Sequence, residues 1–215
     1  MSRKLSKIAL VCVSAALLAV GANAGQETSN DSLSNVAVTK QIGLLKMDKS
    51  FYLKEYNYGD VSVSYDFEDV TADAASKKAW HVLRTRVRAQ KGKIVDCYEV
   101  RLHRDGILHI MATTMSGSQV SVAHTKTNFS NIQGAVHHMG ILIKTAPNGD
   151  IKIEAAFDAD GTDHDRTVSW THAVTDTLYK RCQRGTIGFY SASSENTIDN
   201  FSVEDGLSAE FFQRE

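Results

Sequence analysis

Short apolar alternations, interrupted every few residues by Gly, Asn or Asp, dominate the chain after residue 50. At 61–67, Val, Val, Tyr and Phe alternate with Ser, Ser and Asp, the period of two that marks a half-buried strand. The same signal predicts strands at 51–53, 80–89, 97–102, 107–113, 120–125, 136–144, 151–157, 186–191 and 197–203. Turn chemistry separates several of them, as in His103-Arg104-Asp105-Gly106, Pro147-Asn148-Gly149-Asp150 and Asp158-Ala159-Asp160-Gly161. Short strands at this spacing predict an all-β sandwich of two antiparallel sheets. The polar stretch at 162–180 departs from the pattern. Its best helical interval, 168–178, holds too many Thr, Ser and β-branched residues to predict a helix.

Strand phase assigns side chains to faces. Leu83 and Val87 share one phase, which sends Trp80, Arg84 and Arg86 the other way. Tyr98, Val100 and Leu102 alternate with Glu99 and Arg101, and Leu108 and Ile110 alternate with His109. One sheet face is therefore expected to carry Trp80, Arg84, Arg86, Glu99, Arg101 and His109. Guanidinium groups suit carboxylate, sulfate or hydroxyl acceptors, and an indole suits the C–H face of a pyranose. The bland alternatives are a solvated, salt-bridged face and a Trp80 that belongs to the core. Trp170 is a second candidate platform on the same terms. His137 and His138 are consecutive in a strand, so they point to opposite sides and cannot share a metal.

The amino terminus reads differently. Arg3, Lys4 and Lys7 precede an apolar stretch at 8–20, and Gly21-Ala22-Asn23-Ala24 follows with small residues. That order predicts a secretory signal at 1–24. As a helix the apolar stretch reaches about 20 Å, short of a bilayer core of about 30 Å, so no transmembrane segment is expected in the mature chain. Residues 25–45 are polar and read as a flexible leader, 46–207 as the sandwich, and 208–215 as a tail. Export to the periplasm or the exterior bears on the two cysteines outside the signal, Cys97 and Cys182. In an oxidising compartment such a pair predicts a disulfide, the alternative being two small buried side chains.

The formal net charge of −1 excludes a broad electrostatic footprint for nucleic acid. No G-x-S-x-G, H-E-x-x-H or phosphate-binding loop occurs in the sequence. The segment from Asp158 to Asp165 has the composition of a calcium loop without the spacing of an EF-hand.

Several segments together resemble a known fold. Asp60-Val61-Ser62-Val63-Ser64-Tyr65-Asp66-Phe67 is followed by Ala79-Trp80-His81-Val82-Leu83-Arg84 and Tyr98-Glu99-Val100-Arg101-Leu102. Later come Gly185-Thr186-Ile187-Gly188-Phe189-Tyr190 and Thr197-Ile198-Asp199-Asn200-Phe201-Ser202-Val203. Over about 50–205 this order resembles the concanavalin A-like, laminin-G-like jelly rolls of bacterial secreted proteins. The resemblance implies a jelly roll with a glycan, a polysaccharide or oligosaccharide, on one sheet face. It also implies a structural Ca2+ near Asp199. It does not imply catalysis, because folds of this kind mix lectins, hydrolases and lyases. The E-x-D-x-E pattern of similar hydrolases and the R-[ST]-E-L and Q-[IV]-H patterns of similar alginate lyases are missing. Arg84, Arg86, Arg101, His109 and Tyr98 still supply the residue types a lyase would use. The expected function is an exported glycan-binding module. A lyase or hydrolase of the same fold is the alternative, and a structural or adhesive envelope protein is a third.

Overall fold

A computed structural model describes residues 38–40, 42–53, 57–71, 80–90, 93–128, 133–158 and 166–205; for 38–40, 88–90, 93–97 and 205 it describes the backbone alone. The predicted signal, most of the leader, the tail at 208–215 and the acidic segment at 159–165 lie outside these residues. Thirteen strands are present among the described residues. They are β1 (Val38–Lys40), β2 (Gly43–Leu45), β3 (Ser50–Tyr52), β4 (Val61–Asp69), β5 (Trp80–Gln90), β6 (Lys93–His103) and β7 (Ile107–Thr113), then β8 (Gln119–Lys126), β9 (Val136–Thr145), β10 (Ile151–Asp158), β11 (Arg166–His172), β12 (Thr186–Ala192) and β13 (Asn196–Asp205).

The strands form two sheets, and every strand pair is antiparallel. One sheet has seven strands in the order β1-β13-β4-β9-β10-β11, with β2 also on β13; the other has six in the order β3-β12-β5-β6-β7-β8. Neighbours such as β13 with β4 and β12 with β5 are far apart in sequence. That pattern is a jelly-roll sandwich of the concanavalin A-like class.

Each of the ten predicted strands is present. Three others were not predicted. β1 and β2 fall within the span expected as leader, 25–45, and both strands pair with β13. At three residues each, they are too short to show a period, and only the exposed edge of β13 makes them strands. β11 lies in the polar stretch and pairs with β10 over seven residues. As an edge strand its outward residues Ser169 and Thr171 are exposed, as is Arg166 at its start, which weakens its hydrophobic signal.

The core lies between the sheets. Val61, Val63, Tyr65 and Phe67 of β4 meet Leu83, Tyr98, Val100, Leu102 and Phe189 from the other sheet, all essentially inaccessible. Burying each large side chain contributes about 1.5–3 kcal/mol. His81 joins this core, its ring 4.2 Å from that of Phe67 and its Nε2 3.0 Å from the Tyr65 hydroxyl. Burial pushes its imidazole down to about 3, against a small opposing effect from Asp69.

Candidate functional site: the outer face of the six-stranded sheet

The register of β5, β6 and β7 decides which candidates meet. Arg84 pairs with Glu99, Trp80 with His103, and Arg101 with His109. Their inward neighbours Leu83, Val100 and Leu108 are buried, so Trp80, Arg84, Glu99, Arg101 and His109 share the outer face. Glu99 is the pivot. Its Oε1 accepts from Arg84 Nε at 2.8 Å, and its Oε2 accepts from Arg101 Nε at 2.7 Å. The Glu99 side chain is only 2% exposed, against 15% for Arg84 and 22% for Arg101. A buried carboxylate is stable there because two cations answer it.

Aromatic rings frame the trio. The Arg84 guanidinium lies 4.6 Å from the centre of the Tyr190 ring, and its Nη1 donates to the Tyr52 hydroxyl at 2.6 Å. Arg101 lies 5.4 Å from the centre of the half-buried Trp80 ring. These stacks hold both cations in defined positions. Gly188 is required beside them. A Cβ there would overlap the Tyr52 ring, so only glycine lets Tyr52 lie flat across β12.

Arg86 corrects the sequence-based grouping. A β-bulge interrupts β5 at this point, with register shifts against both β12 and β6. Arg86 takes a φ of 49°, and its side chain turns between the sheets and is completely buried. It donates to the carbonyls of Gly59 and Cys182 and to Asp60 Oδ1 and Thr145 Oγ1. Gly185 packs against the Arg86 backbone where a Cβ would collide. Arg86 therefore clasps the sandwich and contributes nothing to the outer face.

The remaining candidates lie elsewhere. Asp199 sits on the seven-stranded sheet with Asp66 as its cross-strand partner. Asp66 Oδ1 contacts His138 Nδ1 at 2.7 Å, and its Oδ2 accepts from Asn200 Nδ2 at 2.5 Å. Calcium needs six to eight oxygen ligands. With both Asp66 oxygens engaged, this row does not fit such an ion, and among the described residues no three His, Cys, Asp or Glu side chains stand ready around one point to hold a metal. His137 is buried beside Phe157 while His138 faces out, as their phase requires. Trp170 packs inward against Tyr98 and Tyr179, 6.3 and 5.6 Å between ring centres. Cys182 is fully buried, its Sγ 3.7 Å from the Lys180 carbonyl. No disulfide is found among the described residues, and the Cys97 side chain lies outside them.

Four contributors to this face were not singled out from the sequence: Tyr52, Tyr190, His103 and His124. Phase alone puts Tyr190 opposite Ile187 and Phe189. What the sequence could not supply is that β12 lies beside β5, with β3 on its far side.

No known protein family and no curated protein sequence matches this chain. Solved structures do. Carbohydrate-binding module CBM66 from Bacillus subtilis matches with a TM-score of 0.52 at 13% identity, covering 78% of this chain and 94% of that one. The exoplasmic/lumenal domain of VIP36, in its Ca2+/Man-bound form, matches at 0.51 with 13% identity, over 83% and 85% of the two chains. A fructosyltransferase from A. japonicus matches at 0.50 with 10% identity, over 84% of this chain but 28% of the enzyme. At such identities the likeness shows the shared jelly-roll fold. Among the described residues no helix is long and apolar enough to cross a membrane.

Proposed function

We propose that the chain is an exported glycan-binding module and that the outer face of the six-stranded sheet is its binding surface. The observation that carries this reading is the joint fixing of Arg84 and Arg101 by Glu99, with Trp80 and Tyr190 beside them. Two cations sharing one carboxylate leave a net positive charge on a rigid, aromatic-framed surface. Among the described residues no hydrogen bond is made by Arg84 Nη2 or Arg101 Nη1, and both can donate to sugar hydroxyls or to an acidic group. Preorganisation lowers the ordering cost of binding. The jelly-roll neighbours include a carbohydrate-binding module and a mannose-bound lumenal domain, which supports a saccharide partner. The signal expected at 1–24 supports a secreted or periplasmic location.

A glycan array spanning neutral and acidic sugars tests the proposal, run beside reducing-end and unsaturated-uronate assays. Saturable binding without product is the expected result. Product formation would replace the module with a lyase or hydrolase of the same fold. Absence of both would leave a structural or adhesive role.

A further inference from the structure

The two outer faces of the sandwich differ in charge. On the six-stranded sheet, Glu99 is the only acid among the described side chains that strand phase turns outward, against Arg84, Arg101 and Lys126. Asp48 and Asp105 belong to bordering turns, where Asp48 accepts from the Tyr190 hydroxyl and Asp105 faces His103. On the seven-stranded sheet the described outward positions carry Asp66, Glu68, Glu154, Asp158, Asp199 and Glu204 against Lys144 and Lys152. A field of this polarity draws anions to the six-stranded face and repels them from the other.

The arginine pair gives that charge a shape. Glu99 takes Arg84 Nε on one oxygen and Arg101 Nε on the other. The two guanidinium groups are therefore set at the span of a single carboxylate, and Glu99 cancels only one of their two charges. Arg84 commits Nη1 to Tyr52, and Arg101 commits Nη2 to Glu99. Arg84 Nη2 and Arg101 Nη1, which make no hydrogen bond among the described residues, are charge-assisted donors. His103 and His109 add no charge at neutral pH. Burial lowers both imidazoles, that of His109 to about 4, and the Arg101 cation acts in the same direction on each.

We infer, resting on the glycan-binding reading above, that the ligand of this face is a carboxylated glycan whose sugar acid is held by Arg84 and Arg101 together, beside Trp80 and Tyr190. A planar carboxylate repeats what Glu99 already shows with this pair, one oxygen for each guanidinium. A tetrahedral sulfate lacks that planar match, and a neutral hydroxyl leaves the remaining cation unanswered.

The test is calorimetric titration of the full-length protein with polygalacturonate, hyaluronan and polysialate, each beside its carboxyl-reduced derivative, with dextran sulfate and neutral dextran as further arms. At least one carboxylated polymer should bind about tenfold or more tighter than its reduced form. Its affinity should fall as salt is raised toward about 1 M. Arg101→Gln should bring the acidic probe down to the affinity of the reduced one, and Asp66→Asn on the far face should change neither. Equal affinity for every carboxylated polymer and its reduced form overturns the inference, as does tighter binding of dextran sulfate or undiminished discrimination in Arg101→Gln. Binding confined to neutral sugars overturns it and leaves the glycan-binding reading standing, whereas binding to no sugar of either kind ends both. If Arg101→Gln fails to fold, the bound acidic polymer must protect Arg84 and Arg101 of the native protein from phenylglyoxal; equal modification with and without polymer overturns the inference as well.

Discussion

Arg84 and Arg86 lie two residues apart on β5, yet they end in opposite environments. Arg84 lies on the outer face, 15% exposed, stacked on Tyr190 and shared with Arg101 around Glu99. Arg86 is enclosed between the sheets, where it joins the start of β4 to the end of β9 through Asp60 and Thr145. The difference is one bulge. An inserted residue with positive φ reverses the side-chain direction that strict alternation would give. Identical side chains therefore face outward beside aromatic rings at one position and act as a clasp at the other.

The sharpest way to break this contrast is to remove each arginine in turn. Arg86→Met should cost about 3–5 kcal/mol, because it leaves the Gly59 and Cys182 carbonyls without their donor and takes the cation from the Asp60 carboxylate. Denaturant unfolding measures the loss. If Arg84→Met destabilises equally, the two environments are not distinct.

The converse experiment reads binding. Arg101→Ala should weaken glycan affinity by roughly ten- to a hundredfold, about 1.4 kcal/mol per factor of ten. Its stability should fall by no more than about 1 kcal/mol, since the pair is partly exposed and Glu99 keeps Arg84. A lower melting temperature with unchanged titrations would assign the trio to stability instead.

Gly188→Ala tests how far the face depends on Tyr52. The new methyl group must displace the Tyr52 ring and loosen its bond to Arg84, at an overpacking cost of about 1–3 kcal/mol. Thermal unfolding gives the cost, and the loss should be smaller in a Tyr52→Ala background.

At neutral pH the smallest effect comes from the core. His81 is held neutral with a folded value of about 3, against an unfolded value near 6.5. The unfolded chain therefore binds the extra proton between these limits. Stability is fully present above about pH 6.5 and is lost as pH falls toward 3, by at most about 1.4 kcal/mol per pH unit for this group. Urea midpoints across that window measure the slope, and His81→Phe should flatten it. His103, His109 and His172 are lowered in the same direction and add to the slope.

The sequence alone determined most of the sandwich, because period-two alternation depends only on each strand having one wet and one dry side. It determined that Trp80, Arg84, Glu99, Arg101 and His109 point away from the core, since each lies out of phase with the apolar positions of its strand. Tertiary structure decided the rest. β1, β2 and β11 are strands because an edge of paired backbone was available, which their own composition does not encode. Asp199 was separated from the arginine face because its strand joined the other sheet. Tyr52, Tyr190, His103 and His124 reached that face through strand order and register, which are set by contacts between residues distant in the chain. Arg86 left it at a bulge, where the ladders to β6 and β12 shift and no side-chain pattern marks the spot.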